Sequence, residues 1–199
     1  MEIVVGSHNQ KKIKELRDVF TGVGIKLLSL EQFTNAIEVD ETGTTFAENA
    51  KLKASQQAHV LKRWVLAEDS GLSVEALKGA PGVYSARYAG DPRDDNRNNA
   101  KLLEDLKNVP LDKRHAWYTC HMALSDPDGI IIFDCVGECH GRIINDYSGE
   151  QGFGYDPLFE VVEYHQTFGQ LGLSVKSLIS HRARAAREFL RRFRQLNLG

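Results

Sequence analysis

The sequence is poor in cysteine and proline, and the scarcity of cysteine excludes two classes of protein. The 199 residues include five prolines and three cysteines, Cys120, Cys135 and Cys139. An odd count without a CxxC pair argues against a disulfide framework and a thiolate zinc site, so we expect reduced thiols in a cytoplasm. Cys135 and Cys139 stand at even spacing in an apolar strand pattern, and we expect them to pack in a core rather than bind metal with His140.

Long apolar runs and a strong net charge are also missing. No segment approaches the ~20 apolar residues of a membrane-spanning helix, and "MEIVVGS" lacks the basic start of a secretory signal. The net charge is −2, so the molecule as a whole does not attract nucleic acid or membrane. These features predict a cytoplasmic protein with no nucleic-acid partner and no membrane partner. The length favours a single domain over residues 1–199.

What the chain has instead is an alternation of strand and helix patterns. Apolar runs predict strands at "EIVVG", "IKLLSL" and "WVLAED", the last ending at the turn "DSG". Helical spacing predicts helices in "KKIKELRDVF", "TTFAENAKLKASQQAHVLKR" and "DDNRNNAKLLEDL", and a last helix from about Ser180. From Arg114 the period becomes two, and "PDG" between two such runs predicts a long antiparallel hairpin. The fold class is therefore α/β with a mixed sheet.

The first polar segment, "SHNQKK", joins a buried strand to a helix. Backbone N–H groups and the helix dipole at such a junction attract phosphate. Ser7 and Asn9 can add hydrogen bonds, and Lys11 or Lys12 can add a positive charge. The P-loop pattern and the GxGxxG pattern are both absent. Because Ser or Asn before a helix is also a common N-cap, this segment alone leaves a phosphate site and a plain cap both open.

Acidic residues gather at the end of the third predicted strand and before the second predicted helix. Glu68 and Asp69 are adjacent in a strand and point to opposite faces, so they should not do the same job. A carboxylate there can hold Mg²⁺ or accept a proton from water, although a solvated turn would also explain it. Glu41 lies in a loop before the helix, where Asn49 and Lys53 are one turn apart and Lys53 could reach a phosphate.

Two later segments combine glycine with aromatic residues, or place basic residues at a helix start. In "GEQGFGYDPLF", glycines surround Phe153 and Tyr155, and an aromatic ring on such a loop can stack on a planar base. Ser180 is a predicted N-cap, which places His181 and Arg182 in the first turn of the last helix. The helix dipole opposes a cation there, and an anion or an acceptor-rich ligand would resolve the conflict. The later arginines predict a solvated face more than a nucleic-acid stripe.

The order of these segments resembles one known family. "SHNQKK", "ETGTTFAENAKLKA", "EDSGLSVEALKGAPGVYSARYAG", "GFGYDPLF" and "KSLISHRARA" are similar, from residue 3 to about 190, to the inosine triphosphate pyrophosphatase family. The resemblance implies hydrolysis of deaminated purine nucleoside triphosphates, dITP/ITP and XTP/dXTP, to the monophosphate and pyrophosphate with Mg²⁺. It also implies an elongated mixed β-sheet with flanking helices, two lobes with the active-site cleft between them, and a homodimer.

The same resemblance implies roles for individual positions. Asp69 would be the proton acceptor, and Glu41 and Asp69 would lie near Mg²⁺. The positions implied for the triphosphate are Ser7, His8, Asn9, Gln10, Lys11, Lys12 and Lys53; Ser70 and Lys176 would also touch substrate, and Phe153, Gly154, Tyr155, Asp156, His181 and Arg182 would surround the base. Donors there would welcome the 6-carbonyl of hypoxanthine or xanthine and oppose the 6-amino group of adenine.

Three other functions are compatible with parts of the pattern. A pyrophosphatase for modified pyrimidine nucleotides is one, and the "GFGYDP" and "SHR" segments count against it. A non-catalytic nucleotide-binding module is the second, and it would have no need of carboxylates such as Glu41 and Asp69. A nucleic-acid binder that uses the Arg-rich last helix is the third. Its DNA binding would depend steeply on salt, and the overall charge opposes it.

Overall fold

The structure, a computed structural model, describes residues 1–196. Its strands are β1 (Glu2–Val5), β2 (Lys26–Ser29), β3 (Val65–Val74), β4 (His115–Ser125), β5 (Ile131–Ile143), β6 (Phe159–Val161) and β7 (Gln166–Thr167). Its α-helices are α1 (Gln10–Phe20), α2 (Phe46–Leu61), α3 (Asp95–Leu106), α4 (Phe168–Ile179) and α5 (His181–Phe193). None of the helices in this described part is long and apolar enough to cross a membrane.

The seven strands form one mixed sheet in the order β2-β1-β3-β4-β5-β6-β7. β1 runs parallel to both β2 and β3, whereas β6 runs antiparallel to both β5 and β7. β4 and β5 are neighbours joined only by residues 126–130, a connection too short for a parallel crossover. The predicted hairpin and the predicted α/β class with a mixed sheet are therefore confirmed.

The chain divides into two compact units. Unit 1 comprises Met1–Ser70, Cys120–Gly137 and the chain from His181 onward, and unit 2 comprises Gly71–Thr119 and Glu138–Ser180. Each unit has an apolar cluster of its own. The prediction of one domain over residues 1–199 stays a prediction.

Unit 1 packs helices against both faces of its strands. Side chains alternate along β3, so Leu66 joins the apolar cluster of α1 and α5 while Ala67 faces α2. Ala50, Ala54 and Ala58 recur every four residues along one side of α2, and all three are fully buried. Their small side chains let α2 lie close to the sheet. The alternation also decides which helices meet the two carboxylates that follow on β3.

Unit 2 is built around stacked aromatic rings. The Phe159 and Phe168 ring centroids are 5.3 Å apart, and the Tyr118 ring lies 4.8 Å from that of Phe159. Leu102 and Leu106 attach α3 to the same cluster. Burying side chains of this size contributes about 1.5–3 kcal/mol each, so this core firmly anchors α3 and the first turn of α4.

Two predictions about secondary structure were wrong. β3 does not end at Asp69 but continues to Val74, because Leu72 and Val74 keep the buried side of the strand apolar beyond the "DSG" sequence. Helix α4 was not predicted at all. Its signal is the capping box in which the Thr167 side chain caps the backbone of Gln170 and the Gln170 side chain returns to Thr167.

The three cysteines are free and buried. Cys135 lies in the apolar cluster of unit 1, and Cys139 lies in that of unit 2. The prediction that these two residues pack in a core is confirmed.

Candidate active site

On one face of β3, Asp69 meets polar side chains of unit 1. Its Oδ1 accepts a hydrogen bond from Lys53 Nζ at 2.9 Å, and its Oδ2 accepts one from Asn49 Nδ2 at 3.3 Å. Lys53 Nζ also lies 3.5 Å from Glu41 Oε1. One turn of α2 therefore delivers an amide and an ammonium group to the same carboxylate. The prediction that Asn49 and Lys53 lie one turn apart on one face of the helix is confirmed, whereas their contact with Asp69 was not predicted.

The start of α2 fixes the Asn49 amide. Thr45 and Glu48 form a capping box, with Glu48 N donating to Thr45 Oγ1 and Thr45 N donating to Glu48 Oε2, both at 3.2 Å. Gly43 N donates to Asn49 Oδ1 at 2.8 Å. A Cβ at Gly43 would lie 2.6 Å from that oxygen, so only glycine permits this approach. With its oxygen held by Gly43, the Asn49 amide directs its NH₂ group to Asp69.

Whether the Mg²⁺ implied by the resemblance fits this chain depends on Glu41 and Asp69. Mg²⁺ prefers oxygen ligands and usually takes one or two protein carboxylates, leaving its other positions to water and substrate phosphates. Glu41 and Asp69 both contact the ammonium of Lys53, so their oxygens converge on one small region. Among the described residues there is no group of three or more His, Cys, Asp or Glu that could hold a metal ion. Two carboxylates fit an ion that is shared with a triphosphate.

On the opposite face of β3, Glu68 is enclosed by donors. Arg182 Nε donates to both Glu68 oxygens at 2.8 and 2.9 Å. The Cys120 thiol donates to Oε2 at 2.8 Å, and Lys12 Nζ lies 3.9 Å from Oε1. Burial alone would raise the pKa of Glu68, but the charges of Arg182 and Lys12 and the hydrogen bonds outweigh it and lower the pKa to about 2. Glu68 is therefore ionised at neutral pH.

Arg182 lies in the first turn of α5, as predicted, and is 2% exposed. Its guanidinium also donates to Glu15 of α1 and, at 2.9 Å, to Ser70 Oγ. Glu68 and Glu15 thus provide, from within the chain, the anionic partners that a cation at a helix start requires. Burial lowers the pKa of Arg182, but the charges of Glu68 and Glu15 outweigh it and raise the pKa. His181, the first residue of α5, is buried as well.

The "SHNQKK" segment forms the cap of α1. Asn9 Oδ1 accepts hydrogen bonds from the backbone N–H groups of the two lysines at 3.0 and 3.2 Å, and Ser7 Oγ accepts one from Asn9 N at 3.2 Å. The N-cap interpretation is confirmed, and the phosphate role stays a prediction. Gln10 Nε2 donates to Glu31 at 2.6 Å. The exposed members of the segment are His8, Asn9, Gln10 and Lys11.

In unit 2, the "GFGYDP" loop is organised around a buried ion pair. Lys176 Nζ lies 2.6 Å from Asp156 Oδ2, and both residues are at most 3% exposed. The same oxygen accepts a hydrogen bond from Phe153 N at 2.8 Å, and the ammonium lies 4.6 Å from the centroid of the Phe153 ring. The Tyr155 hydroxyl donates to Ser85 O at 2.8 Å. Asp156 therefore fixes both the backbone of the loop and the cation beneath its aromatic ring.

Comparison with protein families gives a match over nearly the whole chain. The model of the Ham1 family matches residues 3–192. The chain belongs to the Ham1 family. A Rhodopirellula baltica protein named dITP/XTP pyrophosphatase is 56% identical over 95% of this chain and 91% of its own. A Desulforamulus reducens protein of the same name is 48% identical over 94% of this chain and 93% of its own. The resemblance inferred from the motifs is confirmed.

Solved structures of Ham1 proteins share this fold. The Coxiella burnetii HAM1 protein superposes with a TM-score of 0.90 at 35% identity, over 98% of this chain and 99% of that chain. The Staphylococcus aureus Ham1 protein gives a TM-score of 0.88 at 39% identity, with the same coverage. The mixed sheet with flanking helices is therefore the fold of the Ham1 family.

In this Ham1 chain the predicted site residues divide between the two units. Unit 1 contains Ser7, His8, Asn9, Gln10, Lys11, Lys12, Glu41, Lys53, Asp69, Ser70, His181 and Arg182, and unit 2 contains Phe153, Gly154, Tyr155, Asp156 and Lys176. Within unit 1, Lys53 joins Glu41 to Asp69. Ser70 contacts Arg182 on the other face of β3. Within unit 2, Lys176 contacts Asp156 and the ring of Phe153. The roles of these residues toward substrate stay predictions.

The partners of Glu68 could not be predicted from the sequence. Cys120 is 52 positions away in the sequence and Arg182 is 114 positions away, so no local pattern pairs them with Glu68. The single signal is general: a carboxylate in the middle of a buried strand needs cationic or donor partners. Glu15 offered no signal, because a carboxylate in α1 is expected to face water.

Proposed function

We propose that this Ham1-family chain hydrolyses dITP/ITP and XTP/dXTP to the nucleoside monophosphate and pyrophosphate, which removes deaminated purines from the nucleotide pool. Relatives at 56% and 48% identity carry the name dITP/XTP pyrophosphatase. The observation that carries the proposal is the cluster in which Asn49 and Lys53 hold the Asp69 carboxylate beside Glu41. Such a cluster suits water activation next to a polyanion.

Asp69 would take the proton of the attacking water. The water oxygen forms a bond to the α-phosphorus, and the bond from that phosphorus to the bridging oxygen of pyrophosphate breaks. Within residues 1–196, each Asp69 oxygen has one hydrogen-bond donor. A carboxylate has about four acceptor positions, so a water molecule can still donate to Asp69. General-base help of this kind contributes about 10²–10⁴ in rate.

Cations and backbone donors would supply the rest of the acceleration. Glu41 and Asp69 would hold Mg²⁺, which when bound neutralises charge on the phosphates. Lys53 contacts both carboxylates and would bring a further positive charge to the triphosphate. Lys11, Lys12 and the N-terminus of α1 would bind the same polyanion. Together they would lower the repulsion between the phosphates and an incoming nucleophile.

The base would be recognised by the loop Phe153–Asp156 together with His181 and Arg182. The Phe153 ring could stack on the purine, which is worth about 1–3 kcal/mol. Hydrogen-bond donors would donate to the 6-carbonyl oxygen of hypoxanthine or xanthine and would disfavour the 6-amino group of adenine, which is itself a donor. A site that depends on buried hydrogen bonds can discriminate by about 10⁴ or more. Lys176 would hold the Asp156 carboxylate in place.

The test is pyrophosphate release by the purified protein from dITP, XTP, dGTP, dATP and a modified pyrimidine triphosphate, with Mg²⁺ and with a chelator. We expect turnover of dITP and XTP, little turnover of dATP, and loss of activity on chelation. A preference for the pyrimidine would support a different pyrophosphatase. Binding of dITP without turnover would reduce the chain to a nucleotide-binding module.

A homodimer and a cytoplasmic location complete the proposal. The family resemblance supports the dimer, and the three free, buried thiols support a reducing compartment. Light scattering should then give roughly twice the chain mass of 22.3 kDa. No nucleic-acid or membrane partner is proposed.

A further inference from the structure

Helix α3 holds both backbone polar groups of Gly154, in the middle of the "GFGYDP" loop. Asp95 Oδ2 accepts a hydrogen bond from Gly154 N at 2.8 Å, and Asn99 Nδ2 donates one to Gly154 O at 3.0 Å. Asp95 and Asn99 are four residues apart, so they lie on one face of the helix. One face of α3 therefore forms hydrogen bonds with both the N–H and the C=O group of Gly154.

The loop around Gly154 contains glycines whose backbone conformations are accessible to few other residues. Gly152 and Gly154 have φ values of 84° and 62°, in the left-handed region that glycine visits at little cost. A Cβ at Gly152 would lie 2.0 Å from Asp156 Oδ2, so glycine is required there. Glycine loses much conformational freedom on ordering. Asp156 within the loop and α3 outside it together supply the contacts that fix one conformation.

Helix α3 also forms hydrogen bonds with a second loop, the "SARYAG" segment. Asn98 Oδ1 accepts from Ala89 N at 2.8 Å, and Asn98 Nδ2 donates to Ala86 O at 3.1 Å. Through the hydroxyl of Tyr155, which donates to Ser85 O, the "GFGYDP" loop is tied to this second loop as well. The first two turns of α3 thus act as a shared support for the "SARYAG" and "GFGYDP" segments.

Asn99 is a costly residue for a purely structural position. It is 2% exposed, and its Oδ1 is buried with no hydrogen-bond partner in the described part of the chain. A buried unpaired acceptor destabilises a protein, and a leucine of similar size would avoid that cost. The hydrogen bond to Gly154 O is what Asn99 provides and leucine cannot.

We propose that Asp95 and Asn99 are positioning residues that hold the "GFGYDP" loop in its base-binding conformation. The inference rests on the proposed function, in which Phe153–Asp156 contact the purine. A loop that is already ordered loses less entropy on binding and so binds more tightly. The two residues therefore act on substrate affinity and on base selectivity, and they leave the water-activating carboxylates unchanged.

The experiment measures dITP and dGTP kinetics and the thermal midpoint for Asn99→Leu and Asp95→Ala. For each variant we expect the KM for dITP to rise about fivefold to tenfold, the kcat to stay within about twofold, and the preference for dITP over dGTP to fall. Asn99→Leu should leave the thermal midpoint close to that of the parent chain, because removal of an unpaired buried oxygen offsets loss of the hydrogen bond to Gly154 O. A merely structural residue would instead lower stability without this split between KM and kcat.

Two variants on the same turn of α3 serve as controls. Asp95→Asn keeps an acceptor for Gly154 N and should restore a KM close to that of the parent chain. Asn96→Ala changes an exposed residue and should alter neither parameter. Hydrogen exchange supplies a readout that needs no turnover: the Gly154 amide should lose protection in Asp95→Ala and keep it in Asp95→Asn.

The outcomes separate this inference from the proposed function. If the parent chain turns over dITP and both variants keep its KM and selectivity, the positioning role is wrong and the proposed function stands. A rise in KM that is accompanied in Asn99→Leu by comparable falls in kcat and in thermal midpoint would also overturn the positioning role. If the parent chain does not turn over dITP, the proposed function fails, and unchanged exchange at Gly154 in Asp95→Ala would independently reject the grip on the loop.

Discussion

Two adjacent carboxylates on opposite faces of β3 have very different hydrogen-bonding surroundings. Glu68 is 2% exposed, receives Arg182 Nε on both oxygens and the Cys120 thiol on one, and has Lys12 nearby. Asp69 is 6% exposed and, within residues 1–196, receives one donor on each oxygen. Both are buried and both have a cationic partner, but three hydrogen bonds and the nearby Lys12 ammonium occupy the surroundings of Glu68. Asp69 has two hydrogen bonds within the described residues and keeps about two acceptor positions for water or a metal ion.

The comparison teaches that a buried, charged group is not by itself a catalytic group. A carboxylate whose acceptors are filled by fixed donors holds neighbouring elements together, because removing it would leave a buried cation unpaired. A carboxylate with unfilled acceptors can exchange partners during a reaction. Glu68 therefore ties α1, β3, β4 and α5 together, and Asp69 is the carboxylate that we propose acts on substrate.

Asp69→Asn should have the largest effect on activity. We expect dITP turnover to fall by about 10²–10⁴, because the amide cannot take the proton of the attacking water. The thermal midpoint should stay close to that of the parent chain, since Asn keeps the shape and an acceptor for Lys53. Asp134→Asn, which removes a surface ion pair with Lys51 of 3.0 Å, is the matched control and should leave turnover unchanged. Full activity in Asp69→Asn would refute the general-base role.

Glu68→Gln, unlike Asp69→Asn, should cause a large loss of stability. The buried guanidinium of Arg182 would lose the charge of one of its two anionic partners, at a cost of about 3 kcal/mol or roughly 6–12 °C in thermal midpoint. Glu188→Gln is the control, because Glu188 pairs with Arg191 and Arg192 at the surface of α5 and should matter much less. Equal effects of the two substitutions on urea unfolding would contradict the structural role of Glu68.

The pH dependence of stability sharpens the same contrast. The folded-state pKa of Glu68 is lowered from 4.5 to about 2, so its contribution is fully present above pH 4.5 and is lost as the pH falls toward 2. The difference in unfolding free energy between the parent chain and Glu68→Gln should therefore be constant from pH 7 to pH 5 and shrink below pH 4.5. A difference that grows as the pH falls would have the wrong sign for this account.

The smallest expected effect concerns the thiol on Glu68. Cys120→Ala should destabilise the chain by about 1 kcal/mol more than Cys135→Ala. Both thiols are buried in the same apolar cluster, but Cys120 donates to a carboxylate at 2.8 Å, whereas Cys135 donates to the Ala185 carbonyl at 3.5 Å. Cys120→Ser keeps a donor and should recover part of the loss. Chemical denaturation of the three variants measures this, and identical losses for Cys120→Ala and Cys135→Ala would show that the bond to Glu68 contributes no more than the bond to Ala185.

Patterns local in sequence predicted most of the fold and the placement of a few side chains at the candidate site. The period-two runs around "PDG" gave the hairpin, and the spacing of Asn49 and Lys53 placed an amide and an ammonium group on one face of α2. Adjacent strand positions were enough to separate Glu68 from Asp69. Each of these inferences needs only a few neighbouring residues.

What could not be predicted depends on contacts between distant residues. The strand "WVLAED" continues through Ser70 and Gly71 because the sheet buries Leu72 and Val74, and no local signal overrides the turn propensity of "DSG". The partners of Glu68 and the grip of Asp95 on Gly154 join segments that only the tertiary fold brings together. Local patterns fix elements, whereas these contacts depend on how elements pack.

The most direct test of the central claim is hydrolysis of dITP in ¹⁸O-labelled water. We expect the label to enter the nucleoside monophosphate and unlabelled pyrophosphate to be released, because in the proposed reaction water attacks the α-phosphorus. Label in pyrophosphate or in orthophosphate would mean attack at another phosphorus and would contradict the account.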